Sequence, residues 1–197
     1  MSQSENRKII DTEHAEGNKV VLFAGAHGIA NALDTLLDAG KLLKDISVTI
    51  CLMGGGQEKE RLKLRAQQEK ITNVIFLERV NKNEVGGILE LADILYIGLA
   101  KTDLFRFGIS PNKMFDYMLA ARPIISAIDA GNDMVKDADC GISVPAEDPE
   151  AVANAIKELL AMDELERLRL GENGKAYVLA NHNYEKLAAD FVAVLEN

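Results

Sequence analysis

The residues with the plainest chemical potential fall in one run, Phe107-Gly108-Ile109-Ser110-Pro111-Asn112-Lys113-Met114-Phe115-Asp116-Tyr117-Met118-Leu119-Ala120-Ala121-Arg122-Pro123-Ile124-Ile125. Ser110 is a good helix N-cap and Pro111 suits a first helical position, so a helix is expected to open here with free backbone N–H groups. Such an end attracts anions. The lack of bulk at Gly108 and Ser110 would let a phosphate approach those donors closely. Asn112 lies at the same helix start, and Lys113 could neutralise a phosphate bound there, although an isolated helix lysine is more often simply solvated. Met114, Phe115, Met118 and Leu119 form an apolar stripe at helical spacing, which leaves Lys113, Asp116 and Tyr117 for a ligand-facing side.

Three further loops carry residues of interest. Gly25-Ala26-His27-Gly28-Ile29-Ala30-Asn31 ends an apolar run. Its glycines, the amides of Gly28 and Ile29 and the His27 ring could meet an anion, or the segment could be a tight turn with a surface histidine. It has neither the Gly-x-Gly-x-x-Gly spacing of a dinucleotide site nor the Lys-Ser/Thr of a P-loop. Gly54-Gly55-Gly56-Gln57 again ends an apolar run and opens a helical pattern, with Gly54 placed for close backbone approach. Lys101-Thr102-Asp103-Leu104-Phe105-Arg106-Phe107-Gly108 is long for a connection and brings two cations toward the expected anion seat. His14, His27 and His182 are dispersed, with no cluster at metal-ligand spacing, so metal-independent chemistry without a cofactor is expected. The charge of an anionic ligand would then be met by helix ends and cations.

These loops need elements to hold them, and the chain supplies a repeating cycle. Strand-length apolar runs at residues 19–24, 47–53, 73–77, 93–99, 123–128 and 141–144 alternate with helical patterns, among them 57–68, 83–92 and the Pro111 helix. Runs apolar on both faces, alternating with helices, predict a Rossmann-like, doubly wound parallel sheet of about six strands. In such a sheet ligands sit at the carboxyl ends of the strands near a reversal of strand order, where all these loops fall. From Asp148-Pro149 onward the pattern is helical only, with helices at 149–160, 164 to about 170, and 184–195. Residues 1–18 are polar and read as a tail or linker remnant, and residues 19–197 as one domain.

Composition narrows the partners. The 197 residues are 48% apolar with a formal charge of −9, which opposes a nucleic-acid binder but not a site for one nucleotide. No apolar run reaches the roughly twenty residues of a membrane span, and the N-terminus has no secretory pattern. The two cysteines, Cys51 and Cys140, read as reduced thiols, and the expectation is a cytoplasmic protein.

The run Ser110-Pro111-Asn112-Lys113-x-Phe115-Asp116-Tyr117-Met118, with Ala121-Arg122-Pro123 leading into a strand, resembles the donor-binding half of retaining GT-B glycosyltransferases of the group 1 family. Within that group it looks closest to the bacterial fucosamine-type transferases of surface polysaccharide synthesis. The resemblance covers Lys19 to Asn197 and implies one half of a GT-B fold, whose last helix braces the other half. It implies that Asp116 bonds the ribose hydroxyls of a nucleoside diphosphate sugar. It further implies that Arg79 and Val80, within Glu78-Arg79-Val80-Asn81-Lys82, read the base by their backbone, and that the Gly25 loop holds the diphosphate. The arginine and lysine common in that loop are replaced by Ala26 and Asn31. The first acid of the family's Glu-x7-Glu pair falls at Gly108.

The function implied is donor binding in transfer of a sugar, UDP-linked in the leading case, to a saccharide or lipid-linked acceptor with retention. The partners implied are the nucleotide sugar and an N-terminal acceptor-binding domain absent from this sequence. Membrane contact would be peripheral, at the inner face. Without that domain turnover is expected to be absent or slow, and self-association through the uncovered face is plausible. Two alternatives stay open: a stand-alone nucleotide-binding module without catalysis, and an interaction domain that has lost its ligand.

Overall fold

In a computed structural model, which describes residues 3–182, the alternating runs form a six-stranded parallel sheet. The strands are β1 (Lys19–Ala26), β2 (Val48–Gly55), β3 (Val74–Leu77), β4 (Ile94–Gly98), β5 (Ile124–Ala127) and β6 (Gly141–Val144), in spatial order β3-β2-β1-β4-β5-β6. The helices are α1 (Gln3–Ala15), α2 (Asp34–Leu42), α3 (Lys59–Gln68), α4 (Lys82–Leu89), α5 (Asn112–Leu119), α6 (Met134–Asp137), α7 (Pro149–Ala161) and α8 (Glu164–Asn181). β1 pairs with β2 along its whole length, from Lys19 opposite Val48 to Ala26 opposite Gly55. It meets β4 only at Val21 and Leu22. Beyond Leu22 the two central strands part, and the order reverses at that point. A crevice at the carboxyl ends is the geometric result, where a ligand meets backbone groups that no neighbouring strand has claimed.

Both faces are covered, as the apolar strand interiors require. One core layer joins Val21, Phe23, Ile50 and Leu52 to Leu36 and Leu37 of α2, Leu62 of α3 and Val152, Ile156 and Leu159 of α7. The other joins Val20, Leu22, Cys51 and Leu95 to Ile10 of α1, Ile88 and Leu89 of α4, Met114 and Met118 of α5 and Val178 of α8.

Several expectations are corrected. Over its described residues, 3–18, the segment expected as a tail is not free: α1 packs on the sheet with Ile10 fully buried, and His14 pairs with Asp93 at 2.9 Å. One buried isoleucine and one buried asparagine on an otherwise polar helix escape a composition reading because most of its surface is solvated. The helix beginning at Glu164 runs on to Asn181 rather than stopping near 170. The Pro111 helix starts at Asn112, with Pro111 itself in extended conformation as N-cap, so Ser110 lies outside it and caps nothing. On that helix Tyr117, expected on the ligand side, is buried with Met114 and Met118, while Phe115 is only partly covered and Leu119 is exposed. The spacing of 114, 117 and 118 is the i, i+3, i+4 of a helix face, and the tyrosine hydroxyl is satisfied inside. The helix expected at 184–195, with any apolar face it presents, lies outside the described residues.

Candidate functional site at the strand tips

The tips of β1 and β2 approach each other through glycine. Gly54 has φ +142°, and a side-chain carbon there would overlap the carbonyl oxygen of Gly25 on the neighbouring strand. Only glycine permits that approach. The short residues leave a cleft of about 430 Å³, lined by Ala24, Gly25 and Ala26 of β1, Met53, Gly54 and Gly55 of β2, then Arg79, Val80, Lys82, Val85 and Asp116. A smaller hollow of about 170 Å³ continues it past Lys82, Val85 and Asp116 along α4 and α5.

Asp116 reaches the cleft because Tyr117 anchors its helix. The Ala24 N–H donates to the Tyr117 Oη at 2.8 Å, and that hydroxyl donates to the Ala24 carbonyl at 3.2 Å. This buried pair ties α5 directly to the tip of β1. With Tyr117 turned inward, Lys113 and Asp116, three residues apart, share the side facing the strand tips. Asp116 is exposed there. Lys113 reaches into the crevice beside β1. Its Nζ donates to Asn31 Oδ1 at 2.7 Å and lies 4.6 Å from the centre of the Phe23 ring. A Cβ on Gly25 would stand only 3.1 Å from that nitrogen, so the glycine makes room for the ammonium. Asn31 is itself held, donating Nδ2 to the Ala26 carbonyl at 2.9 Å. Burial lowers the Lys113 pKa to about 8, a poorly hydrated cation whose one polar side-chain partner is neutral. An anion arriving at Gly25 would supply the missing countercharge.

The opening of α5 offers fewer donors than expected. The Gly108 N–H bonds the Phe105 carbonyl, and the Ile109 N–H is taken by Asn132 Oδ1 at 2.8 Å, with Asn132 Nδ2 returning to the Ile109 carbonyl. Among the described residues, the N–H groups of Ser110, Asn112 and Lys113 have no acceptor. Pro111, in extended conformation, has no N–H to give. The 101–108 loop forms a 3-10 turn over Asp103–Phe107, with Arg106 over the Phe107 ring and the Lys101 Nζ 3.9 Å from Asp129. Neither cation lines the cleft.

His27 is also not at the anion seat. It follows Phe23 and Gly25 on the same alternating side of the extended chain and turns into the opposite core layer, fully buried between Phe23 and Phe76 with ring centroids 6.1 Å from each. Neither ring nitrogen has a hydrogen-bond partner among the described residues. Burial, helped by Lys59 and Lys63, lowers its pKa to about 4 and keeps it neutral. Gly28 borders a different hollow, with Ile29, Asp34 and Arg61. Of the expected donor-binding residues, the cleft therefore gathers Gly25, Gly54, Arg79, Val80 and Asp116. Asn31 and Lys113 stand at its Gly25 edge, and His27 and Gly28 are set apart. Met53, Lys82 and Val85 were not foreseen as lining residues. Lys82 lay in a loop already singled out, but nothing in the sequence distinguished Met53 or Val85 from ordinary core. No three His, Cys, Asp or Glu side chains among the described residues form a metal-binding group.

A parallel sheet with its cleft at the order reversal, an acidic residue on one wall and glycine tips on the other defines a doubly wound α/β domain with an open crevice at its strand tips. The family of glycosyl transferases group 1 matches residues 18–162, and the chain belongs to it. The chain is similar to the O-antigen chain mannosyltransferase C of Escherichia coli, with 25% identity over 88% of this chain and 45% of that protein. It shares its fold with the Anabaena protein Alr3699/HepE in complex with UDP and glucose, at 17% identity and a TM-score of 0.74 over 98% of this chain and 52% of that one. It also matches the C-terminal domain of the group 1 glycosyl transferase LpcC from Francisella tularensis, at 16% identity and a TM-score of 0.69. That match covers 88% of this chain and 92% of that domain. The chain thus spans about half the length of its full-length relative. Among the described residues no helix is long and apolar enough to cross a membrane.

Proposed function

We propose that the cleft binds a nucleoside diphosphate sugar, UDP-linked, and that the chain is the donor-binding half of a retaining glycosyltransferase of surface polysaccharide synthesis, akin to the fucosamine-type enzymes. The observation that carries this reading is the meeting of Asp116, the Arg79-Val80 loop and the glycine tips around one cleft, with the Lys113 ammonium against Gly25. The base would lie against Arg79 and Val80, the ribose hydroxyls would donate to Asp116, and the diphosphate would sit at Gly25 beside Lys113. The UDP and glucose named with Alr3699/HepE, and the mannosyl transfer named for the Escherichia coli relative, support donor and reaction class.

In the transfer, the bond between the anomeric carbon and the diphosphate oxygen breaks, and the oxygen of an acceptor hydroxyl on a saccharide or lipid-linked chain forms the new one, its proton passing to the departing diphosphate. Negative charge grows on the leaving diphosphate. Lys113 at the Gly25 edge, with the unpaired amides at the start of α5, would offset that charge without a metal. Lys113 thereby supplies the positive charge that Ala26 and Asn31 do not. A half of this kind acts with an acceptor-binding half, at the cytoplasmic face of the membrane where lipid-linked acceptors are used.

One observation favours a non-catalytic nucleotide-binding module instead. At Gly108 there is no acidic side chain, and the space a Cβ would take lies 3.1 Å from Asn132 Oδ1. Calorimetric titration with UDP, GDP, UDP-sugars and NAD separates the readings. A donor half binds a UDP-sugar more tightly than UDP and ignores NAD. Equal indifference to the sugar leaves the module, and no binding at millimolar concentration removes both.

A further inference from the structure

β3 is an edge strand that ends at Leu77, so the backbone of Glu78 has no ladder partner from the sheet. A side chain supplies one. Asn6 of α1, 1% exposed, donates Nδ2 to the Glu78 carbonyl at 2.8 Å and accepts the Glu78 N–H on Oδ1 at 3.3 Å. The amide copies the two-way pairing of a neighbouring strand for a single residue. From the inside, Lys59 reaches the same point, donating to Glu78 Oε1 at 3.0 Å, to the Leu77 carbonyl at 3.2 Å and to the Gly54 carbonyl at 2.9 Å. Three residues further on, Asn81 is fixed as the cap of α4 through a capping box with Glu84. Only Arg79 and Val80 hang between these two fixed points, and both line the cleft.

We infer that Asn6 is a positioning residue for base recognition: by latching Glu78 it sets the height and tilt of the Arg79-Val80 backbone against the bound base. The inference rests on the cleft being the nucleotide site. A backbone that reads a base must present its N–H and C=O groups within a few tenths of an ångström, because hydrogen bonds weaken steeply with misalignment. A buried amide paired at both atoms holds such a loop better than van der Waals contact, since breaking either bond leaves a polar group unsatisfied. The diphosphate end is fixed separately, by the β1–β2 glycine contact and the Tyr117 bonds to Ala24. The latch therefore acts on one end of the ligand and not on the other.

The test measures the binding of UDP, GDP and inorganic pyrophosphate to the wild-type chain and to Asn6→Ala and Asn6→Asp, alongside each thermal midpoint. Asn6→Asp keeps the size and one acceptor but sets a carboxylate oxygen against the Glu78 carbonyl, so it remains informative if Asn6→Ala folds poorly. The expected result is an about tenfold loss of affinity for the preferred nucleoside diphosphate, a flattened preference between UDP and GDP, and pyrophosphate binding unchanged. Parallel weakening of all three ligands with the thermal midpoint would reduce Asn6 to a stability residue and overturn the inference, as would unaltered binding throughout. A folded wild-type chain that binds neither UDP nor GDP would refute the nucleotide reading of the cleft itself.

Discussion

The two sides of the same strand tips differ in what they leave undone. On the α4 and α5 side, short residues of β1 and β2 leave a cleft and Asp116 stands exposed with no side-chain hydrogen bond among the described residues, while at the Gly25 edge of that cleft the Lys113 ammonium, reaching across β1, meets only a neutral amide and the Phe23 ring. On the α2 and α3 side, His27 fills the space between Phe23 and Phe76 and is kept neutral by burial. The first side has charge without partners and room to supply them. The second has a polar group without partners and no room. Unsatisfied polarity marks a ligand site only where a ligand can reach it, and that distinction separates Asp116 from His27 more firmly than residue type does.

The comparison can be broken most drastically at the glycine that both sides share. Gly54→Ala forces a side-chain carbon onto the Gly25 carbonyl in a backbone region closed to other residues, and should cost about 3 kcal/mol or more of stability. Chemical denaturation reads this directly, and a well-folded variant of wild-type stability would show that the tips are not locked together. Asp116→Ala is gentler. It should weaken nucleoside diphosphate binding by roughly 1–3 kcal/mol while leaving the unfolding midpoint in place. Calorimetry giving wild-type affinity would make Asp116 a solvated helix residue.

Lys113 sharpens the contrast through pH. Its free-state pKa of about 8 means that raising pH through that value strips the cation, so diphosphate affinity should fall above about pH 8. Lys113→Arg, which does not titrate in this range, should bind across it without the fall. The same depression has the opposite sign for folding. The unfolded lysine holds its proton more tightly, so this group adds to stability as pH rises from about 8 toward its ordinary value of 10.5.

His27 should show the smallest effect on the ligand and a separate one on folding. His27→Leu is expected to leave nucleotide affinity unchanged. Because the folded pKa is about 4 and the ordinary value is 6.5, the unfolded chain takes up the proton first, and wild-type stability should decline by up to ~3 kcal/mol as pH falls across that window. The leucine variant should lose that part of the acid sensitivity in denaturation curves at pH 4 and pH 7. Loss of nucleotide binding in His27→Leu at neutral pH would return the histidine to the site.

How much was legible depended on whether a residue's role was local. The six strands, the glycine turns and Asp116 followed from runs and spacings within a few residues of each other, because hydrophobic periodicity and turn chemistry are short-range properties. Asp148 as the cap of α7, accepting from the Ala151 N–H at 2.9 Å, is of the same kind. Two misreadings were local, the start of α5 at Asn112 and the run of α8 on to Asn181, but those that decide which side chains meet were of long range. Asn6 to Glu78 spans 72 residues, Tyr117 to Ala24 spans 93, and Lys113 to Asn31 spans 82. No window of sequence contains both members of any of these pairs.

The order of amino acids alone therefore determined that the chain folds as alternating strands and helices, and that its loops collect at one end of a parallel sheet. Burial of apolar runs and the need to pair every backbone group leave little other choice. Which of those loops face the cleft was decided only when β1 and β4 parted beyond Leu22 and the Tyr117 hydroxyl fastened α5 to β1. Which face of a strand tip is open, and which cation lacks a countercharge, are properties of neighbours distant in the chain, and they come into being with the packing itself.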